Sequence, residues 1–336
     1  MGNVEANPVR EEKGGKGLSC FQLKEVDKVE IITVIDNYVD LLLPDTLIAA
    51  RPLLATGSKV SSETLLAEHG LSLWVRVYKG KESRTILFDT GYSRIGVLHN
   101  MERLALLPEE IEGIVLSHGH MDHTGSLFVL LDKLPGPVPL TVHPDIFLYP
   151  RYLRMSDGRQ HVFPRTLPRE DLEQRNVRLI ESSAPTLLLD DMLLVTGEVE
   201  RVTSFEKGLP NALVERNGKI EEDRMRDDQA LVIRLRGKGL VIISGCSHAG
   251  IINTILYAMK ITGEKKIHAV LGGFHLSGAY FEPIIEHTVR ELKHIKPDVL
   301  VPMHCTGWKA VKIFSEEFPS SFVLNSVGTK IILNNG

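Results

Sequence analysis

The segment His118–His123, which reads HGHMDH, is the feature that most limits what this chain can fold into. Four side chains that can bind a metal ion, His118, His120, Asp122 and His123, lie within its six residues, and imidazole and carboxylate are common ligands of Zn²⁺, Fe and Mn. In an extended segment alternate side chains point the same way, so the first two histidines can reach one ion. A turn beyond them would bring the aspartate and the last histidine to a second, adjacent position. The motif predicts a site for one or two ions, with a polar surface loop as the alternative.

Two further histidines are placed where a metal site needs additional ligands. His248 lies in the segment Gly245–Gly250, and His304 lies in the segment Val301–Gly307. Like His118, each directly follows a predicted strand, and α/β folds gather their binding sites at the carboxyl ends of strands. A lone histidine is more often a packing residue, but this shared position favours a role for both in the metal site.

Hydrophobic patterning predicts alternating β-strands and α-helices, so we expect an α/β fold. The predicted strands cover residues 29–38, 71–78, 85–88, 114–116, 138–142, 231–235, 240–244, 269–271, 299–301 and 330–333. The predicted helices cover residues 93–106, 126–133, 251–262, 283–295 and 309–317. The candidate metal ligands follow the ends of several of these strands.

Two segments fall outside this alternation. Residues 144–228 are rich in Arg and Pro and poorly periodic, which indicates an insertion such as a lid, a dimer arm or a binding loop. Residues 1–24 begin with a polar stretch rich in Gly, Lys and Glu, and we expect them to form a mobile tail. The sequence therefore predicts one domain over residues 25–336, with the insertion inside it.

Composition narrows the partners and the location that we expect. The 336 residues include 39 Lys and Arg against 43 Asp and Glu, and a net charge of −4 excludes the broad basic field of a non-specific nucleic-acid binder. The odd count of three cysteines argues against a disulfide framework and indicates a reducing compartment. No apolar run in the sequence is long enough to cross a bilayer. We therefore expect a cytoplasmic protein that acts on a small molecule, without a nucleic-acid or membrane partner, and for which a homodimer is one conceivable assembly.

Several motifs of the chain resemble those of the metallo-β-lactamase-fold hydrolases. The motifs that carry this resemblance are Phe88–Gly91 (FDTG), His118–His123 and the strand-end His304. A closer resemblance, to the dihydropterin-ribofuranosylaminobenzene-phosphate-synthase-like branch, rests on Thr196–Glu206, Gly245–Ile251, Gly272–Leu276 and Pro302–Gly307. The resemblance covers residues 29–336 and implies a four-layer αββα sandwich that carries the insertion.

The resemblance also implies how the ligands divide between one or two divalent ions, with Zn²⁺ preferred over Fe or Mn. One ion would be bound by His118, His120 and His248, and the other by Asp122, His123 and His304. Many members of the superfamily have a bridging aspartate at the end of the strand that here leads to Cys246. This chain has no aspartate there, and Cys246 either binds a soft ion as a thiolate or is inert.

The mechanism that the resemblance implies is attack by a metal-activated hydroxide on an ester, a phosphodiester or a related electrophile. Asp122 would orient the hydroxide or accept its proton, and His275 would donate a proton or contact the oxyanion. Asp89, which follows a buried strand, would orient a metal ligand, unless it only caps the helix predicted from residue 93. Arg201 would bind an anionic substrate, unless it belongs to a solvated charged surface.

Two other functions remain open. A serine hydrolase would use Ser247, which lies between a predicted strand and a predicted helix, with Asp298 and His304 following in the expected chain order. However, Ala249 replaces the final glycine of a nucleophile elbow, and the HGHMDH segment would then have no role. The other alternative is a non-catalytic ligand-binding protein of the same fold, since a fold does not fix a function.

Overall fold

The computed structural model describes residues 20–56, 59–60, 62–175 and 177–335. Within this part of the chain, two large β-sheets pack against each other, and helices cover the outer face of each sheet. The arrangement is an α/β fold of four layers in the order αββα, which confirms the α/β patterning of the sequence and the sandwich that the family resemblance implied.

The first sheet is built mainly from the N-terminal half of the chain. In spatial order its strands are β12 (Val177–Glu181), β9 (Val138–Val142), β8 (Gly113–Val115), β7 (Glu82–Phe88), β6 (Ser72–Lys79), β2 (Lys28–Ile35), β21 (Lys330–Asn334) and β3 (Ala49–Ala50). Strands β7, β8 and β9 are parallel, so their carboxyl ends lie at the same edge. The helices of this half are α1 (Gly96–Arg103), α2 (Met121–Thr124), α3 (Leu127–Leu131) and α4 (Arg169–Glu173). Helices α1, α3 and α4 bury apolar side chains against the outer face of the sheet.

The second sheet is built mainly from the C-terminal half. In spatial order its strands are β13 (Thr186–Leu188), β14 (Leu193–Val195), β17 (Ala230–Leu235), β18 (Gly239–Ser244), β19 (Ile267–Gly273) and β20 (Val299–Met303), with β1 (Glu25–Val26) beside β17. Strands β18, β19 and β20 are parallel. The helices on its outer face are α5 (Ile251–Thr262), α6 (Ile285–Ile295) and α7 (Trp308–Glu317).

Strand β18 shows how the sheets are held in place. All of its residues are buried, and Val241 and Ile243 face the first sheet while Leu240 and Ile242 face the outer helices. A continuous apolar run of this kind is typical of a strand that is covered on both faces. Burial on both faces fixes the carboxyl ends of the central strands, where the candidate metal ligands begin.

Residues 144–228, predicted as one insertion, divide between several sheets. Strand β12 joins the first sheet, and β13 and β14 join the second. The part that lies apart is the small sheet, with strands β11 (Gln160–Val162), β10 (Arg151–Arg154), β15 (Ala212–Arg216) and β16 (Lys219–Glu222). Outside this segment, in the N-terminal half of the chain, β4 (Ala55–Thr56) pairs with β5 (Lys59–Val60). The edge strands β12 and β13 are short and only half-buried, so their apolar pattern is too weak to identify them from the sequence.

The predicted mobile tail can be compared with the structure only at its end. Residues 1–19 lie outside the described residues, whereas residues 20–24 pack against the second sheet and its helices. The backbone N–H of Phe21 donates to the carbonyl oxygen of Ile261 at 2.8 Å, and Leu23 is buried in the apolar core there. Among the helices of the described residues, none has the length and apolar character needed to span a membrane.

Candidate metal centre

The predicted site residues gather where the carboxyl ends of the two sheets meet. Strands β7 and β8 lead to Asp89 and His118, and strands β18, β19 and β20 lead to Cys246, His275 and His304. The two sheets therefore approach the site from opposite sides. The predicted metal ligands form two buried clusters there, which touch each other.

Four residues just beyond the strand ends adopt a left-handed backbone conformation. The φ angles are 59° at Asp89, 55° at Ser247, 45° at His275 and 52° at His304. Residues other than glycine rarely adopt this conformation, which costs about 1–3 kcal/mol each and is concentrated at functional sites. The packed strands on either side hold these four turns in place.

The three-histidine pocket is formed by the buried side chains of His118, His120 and His248. Nε2 of His118 lies 3.1 Å from Nδ1 of His120 and 3.2 Å from Nε2 of His248. The three ring centroids are 4.7, 4.8 and 4.9 Å apart, so the rings surround one point almost evenly. The loop after β8 supplies two of these ligands, and the loop after β18 supplies the third.

The imidazoles of the three-histidine pocket are neutral at pH 7. Burial lowers the pKa of His120 to about 4 and holds the pKa values of His118 and His248 well below their usual value. The hydroxyl of Ser117 donates to Asp89 at 2.7 Å, so Nδ1 of His118, 2.9 Å from that hydroxyl oxygen, is the donor to it. Nε2 of His118 then faces the pocket without a proton, which is the form that binds a metal.

The mixed pocket is formed by Asp122, His123, Cys246 and His304, all of them buried. Nε2 of His123 lies 3.2 Å from Sγ of Cys246. Oδ2 of Asp122 lies 3.3 Å from Nε2 of His304 and 3.7 Å from Nε2 of His123. Burial alone would raise the pKa of the Asp122 carboxyl, but His123 and His304 hold it below its usual range. This pocket therefore contains a carboxylate, in contrast to the three-histidine pocket.

Two further carboxylates hold the histidines of the mixed pocket. Nδ1 of His123 lies 2.6 Å from Oδ2 of Asp89, which contacts this ring and does not cap helix α1. Burial would lower the pKa of His123, but Asp89 and Asp122 raise it to about 9. The backbone N–H of His304 donates to Oδ1 of Asp36 at 2.8 Å. These contacts leave Nε2 of both histidines directed into the pocket.

Cys246 lies between the two pockets. Its Sγ is within 4.8 Å of the ligand atoms of the mixed pocket and also of nitrogen atoms of His248 and His275. Burial and the adjacent Cys305 raise the pKa of Cys246, so the thiol keeps its proton unless a cation beside it displaces that proton. The ring of His275 lies 4.3 Å from that of His248, and its Nδ1 has no hydrogen-bond partner among the described residues.

Arg201 lies beside the three-histidine pocket, but its guanidinium group contacts backbone. Nη2 donates to the carbonyl oxygen of Arg224 at 2.6 Å and to that of His248 at 3.3 Å. An open cleft of ≈ 500 Å³ at this place is lined by Ser183, Glu198, Val199, Glu200, Arg201, Arg224, Met225 and Arg226. Because the cleft contains charges of both signs, binding of an anionic substrate by Arg201 stays a prediction.

The sequence did not reveal three residues that surround the ligands. Nε2 of His69 lies 3.7 Å from Oδ2 of Asp122, although no pattern in the sequence gives this histidine a role. Ser117 and Asp36 were also missed, and both had a usable signal. Each is a polar residue just beyond a buried strand, which is the signal that identified Asp89.

The structure does not bring together the residues of the alternative serine hydrolase. Oγ of Ser247 donates to the carbonyl oxygen of Gly273 at 2.8 Å. Asp298 precedes β20 and lies 2.9 Å from Nδ1 of His268, whereas His304 follows the same strand. The five residues of the strand separate the acid from the histidine. The geometry therefore does not support the alternative of a Ser247–Asp298–His304 triad.

Comparison with known proteins agrees with this arrangement. The model of the metallo-beta-lactamase superfamily matches residues 68–202, which include the HGHMDH segment. A Methanocaldococcus jannaschii protein, 7,8-dihydropterin-6-methyl-4-(beta-D-ribofuranosyl)-aminobenzene-5'-phosphate synthase, is 36% identical over 305 residues, which make up 90% of this chain and 96% of that protein. The crystal structure of Tm1679, a metal-dependent hydrolase of the beta-lactamase superfamily, is 26% identical with a TM-score of 0.67, and covers 91% of this chain and 100% of its own. The chain therefore belongs to the metallo-β-lactamase superfamily, in the branch of the dihydropterin-ribofuranosylaminobenzene-phosphate synthase.

Proposed function

We propose that this chain is a metal-dependent hydrolase that cleaves an ester, a phosphodiester or a related electrophile of a small, anionic substrate. The observation that carries the proposal is the pair of adjacent, buried ligand clusters at the strand ends. Divalent metal ions are bound by proteins of the metallo-β-lactamase superfamily, which supports the same use of these clusters. Metal-assisted hydrolysis is the chemistry that such a site performs most directly.

The residues of both pockets fit a divalent cation. The three-histidine pocket offers three neutral ring nitrogens that converge on one point, an arrangement with no apparent function unless a cation lies among them. The mixed pocket offers a carboxylate and two imidazoles, with the thiol of Cys246 beside them. Ligand sets rich in nitrogen, with sulfur available, favour Zn²⁺, while Fe and Mn remain the other candidates. An ion bound there would lower the pKa of a bound water from ~15.7 toward ~7.

The remaining steps fall to side chains of the chain itself. Asp122 stays ionised because its pKa is lowered, so its carboxylate can orient the attacking water and accept a hydrogen bond from it. His275 lies beside the ring of His248 and would donate a proton to the leaving group or contact the developing oxyanion. An anionic group of the substrate would lie in the cleft lined by Arg201, Arg224 and Arg226.

Metal content and turnover of the purified chain test this proposal together. We expect one or two equivalents of metal and turnover of at least one member of a panel of esters and phosphodiesters. His120→Ala should reduce both the metal content and the activity, and removal of the metal with a chelator should abolish the activity. His294→Ala is a suitable control, because this histidine is exposed in the last turn of α6. Full activity without metal would contradict the proposal.

The identity of 36% with a synthase supports a second candidate, a joining reaction. The name of that relative describes a product with two parts, a methyl-dihydropterin and a ribofuranosyl-aminobenzene phosphate. We infer that the same pockets would then hold the anionic phosphate part. Incubation with precursors of the two parts, followed by mass spectrometry, tests this candidate. A product of the joined mass that is lost in His120→Ala would favour it over hydrolysis.

A non-catalytic ligand-binding role is the remaining alternative. The complete ligand set argues against it, because a protein that only binds a ligand does not need an intact pair of metal pockets. Metal-loaded protein that turns over no hydrolase or synthase substrate, but binds a small molecule with a measurable Kd, would establish that role.

A further inference from the structure

Three consecutive polar residues, Asp227, Asp228 and Gln229, are buried beside the three-histidine pocket without being candidate ligands themselves. Their side chains are 0%, 3% and 2% exposed, and they directly precede β17. Burial of two adjacent carboxyl groups is costly unless hydrogen bonds and charges compensate for it. This segment therefore needs an explanation that its position in the fold alone does not give.

The first and last of these residues hold the loop that carries His118 and His120. Oδ2 of Asp227 accepts the backbone N–H of Gly119, the residue between those two histidines, at 2.9 Å. A Cβ atom on Gly119 would lie 2.7 Å from the carbonyl oxygen of Ile146, so only glycine lets the loop come this close. Gln229 contacts the two residues that precede His118. Its backbone N–H donates to the carbonyl oxygen of Ser117 at 3.0 Å, and its Nε2 donates to the carbonyl oxygen of Leu116 at 2.8 Å.

The middle residue holds the other loop of the pocket. Oδ2 of Asp228 accepts the backbone N–H of Ala249 at 2.8 Å, next to the ligand His248. In the same peptide group, the carbonyl oxygen of His248 accepts a hydrogen bond from Nη2 of Arg201 at 3.3 Å. Arg201 and Asp228 thus contact the backbone of the second loop from two directions.

The charge of Asp227 is balanced from the small sheet. Oδ2 of Asp227 lies 2.9 Å from Nη2 of Arg151, a buried residue of β10. Nε of Arg151 lies 3.5 Å from Oδ2 of Asp223, and its Nη2 also donates to the carbonyl oxygen of Asp145 at 2.8 Å. Breaking such a buried pair is strongly destabilising because it leaves an uncompensated charge. The small sheet is therefore tied to the backbone of the metal-binding loop through one ion pair.

From this geometry we infer that Asp227–Gln229 is a positioning segment, which sets the distance between the two loops of the three-histidine pocket. The two loops follow strands of different sheets, and adjacent Cα atoms of the segment are a fixed distance of about 3.8 Å apart. Asp227 holds one loop and its neighbour Asp228 holds the other. The fixed distance between these two residues therefore sets how far His118 and His120 lie from His248. The inference rests on the proposed function, since it concerns the metal affinity of that pocket.

Metal binding by variants of the segment tests the inference. In full-length protein, we expect Asp228→Ala to weaken Zn²⁺ binding at the three-histidine pocket by about 10- to 100-fold, as for other residues that orient metal ligands. Asp228→Asn, which keeps an oxygen acceptor for Ala249, should retain most of the affinity. Where Asp227→Ala does not fold, the triple variant Asp227→Ala/Arg151→Met/Asp223→Asn removes all three charges of this buried cluster and should weaken the same step. Competition with a chromophoric chelator measures each step, and the Tm of metal-free protein is recorded in parallel.

Asp36→Ala provides the matched control, because Asp36 holds the backbone of His304 in the mixed pocket by an equivalent contact at 2.8 Å. Asp36→Ala should weaken the Zn²⁺-binding step of the mixed pocket. In a separate test, Asp228→Ala should have no further effect on metal affinity when His248→Ala is already present. A lower Tm with both steps weakened equally, or unchanged steps, would overturn the inference. Wild-type chain that binds no divalent ion would instead overturn the proposed function.

Discussion

The two metal pockets lie side by side but differ in charge and in how they are held. The three-histidine pocket contains neutral nitrogen ligands, and the positioning segment holds its loops by their backbone. The mixed pocket contains a carboxylate and borders a thiol, and Asp89 holds one of its histidines directly by a ring nitrogen. Contacts to loop backbone therefore hold both pockets, but only in the mixed pocket does a carboxylate also pair directly with the ring of a ligand.

This difference indicates that the pockets should not bind metal ions equally well. The carboxylate of Asp122 attracts a divalent cation more strongly than a neutral ligand does, but an ion in the mixed pocket must also displace the proton of His123, whose pKa is about 9. The soft thiol of Cys246 narrows the choice of ion. The HGHMDH segment supplies ligands to both pockets, including the carboxylate of Asp122, and the loops that follow strands of the second sheet add Cys246, His248 and His304. Substitutions of those residues can separate the two pockets experimentally.

The largest expected effect comes from removing one ligand from each pocket. We expect His248→Ala to lose the ion of the three-histidine pocket and His304→Ala to lose the ion of the mixed pocket. Each loss of activity should exceed the about 100-fold that is typical when only an orienting residue is removed. Elemental analysis and kcat/KM on the best substrate measure both effects, with His294→Ala as the control. A variant that kept full metal content and activity would show that its pocket is not a metal site.

The next effect concerns the choice of metal ion at the boundary between the pockets. Cys246→Asp replaces a thiol with a hard oxygen ligand, so the ratio of Zn²⁺ to Mn²⁺ affinity should fall on the order of tenfold. Competition experiments with the two ions measure this ratio. Cys305→Ser is the matched control, since this second buried thiol lies against the backbone of Cys246 but is in neither pocket. An equal change in both variants would mean that Cys246 does not bind the metal.

Much of the fold could be predicted because its signals are local. Strand β9 and helix α5 were predicted with the bounds that the structure shows, since an apolar run and a helical repeat are both contained within their own residues. Helix α1 is shorter than its prediction over residues 93–106, as it begins at Gly96 and ends at Arg103. Before the helix, the backbone N–H groups of Tyr92 and Ser93 donate to the carboxylate of Glu68 in a neighbouring loop. Such tertiary contacts are absent from the periodic pattern.

The candidate site divides in the same way between local and distant signals. HGHMDH identifies its ligands because they lie within one short segment. Asp227 could not be recognised, because the N–H that it accepts belongs to Gly119, 108 residues earlier in the chain. Binding of an anionic substrate by Arg201 stays a prediction, and its bonds from Nη2 to backbone carbonyls are a further contact that the sequence did not indicate. A residue such as Asp227, which precedes its strand and contacts the backbone of a distant loop, has no pattern in a single sequence.

The carboxylate that holds His123 offers a further test of how the two pockets are held. Asp89→Asn should weaken the Zn²⁺ affinity of the mixed pocket by about 10- to 100-fold, because Asp89 orients His123. The three-histidine pocket should change less, since Asp89 reaches His118 only through Ser117. Stepwise chelator competition measures both affinities.

Asp298→Asn provides a matched control for Asp89→Asn. Asp298 also pairs with a histidine, His268, at 2.9 Å, but at the opposite end of β20 from the site. This control should leave both metal affinities unchanged. If Asp89→Asn weakened both pockets alike, the distinction between direct and indirect support would be wrong.

The smallest expected effect is on stability, at the helix that follows the loop of the three-histidine pocket. The carboxylate of Glu206 is buried at the start of α5, where it accepts the N–H groups of Ile252 at 2.8 Å and Asn253 at 2.9 Å. Burial raises the pKa of Glu206 from 4.5 to about 7, against the effect of these hydrogen bonds. Because the folded pKa lies above the unfolded one, the stabilisation is complete below the unfolded pKa and is lost as the pH rises through about 7.

Glu206→Gln should remove this loss, because a neutral amide of the same shape does not ionise. The Tm of wild-type metal-free protein should fall by about 2 °C more than that of the variant between about pH 5 and pH 8. Glu222→Gln serves as the control, since Glu222 is exposed on β16 and should not alter the slope. A variant with the same pH slope as wild type would mean that Glu206 ionises alike in the folded and the unfolded chain, so that burial does not raise its pKa. In that case the pH dependence of the Tm would come from other groups, and the contacts of Glu206 with the start of α5 would contribute equally in acid and in base.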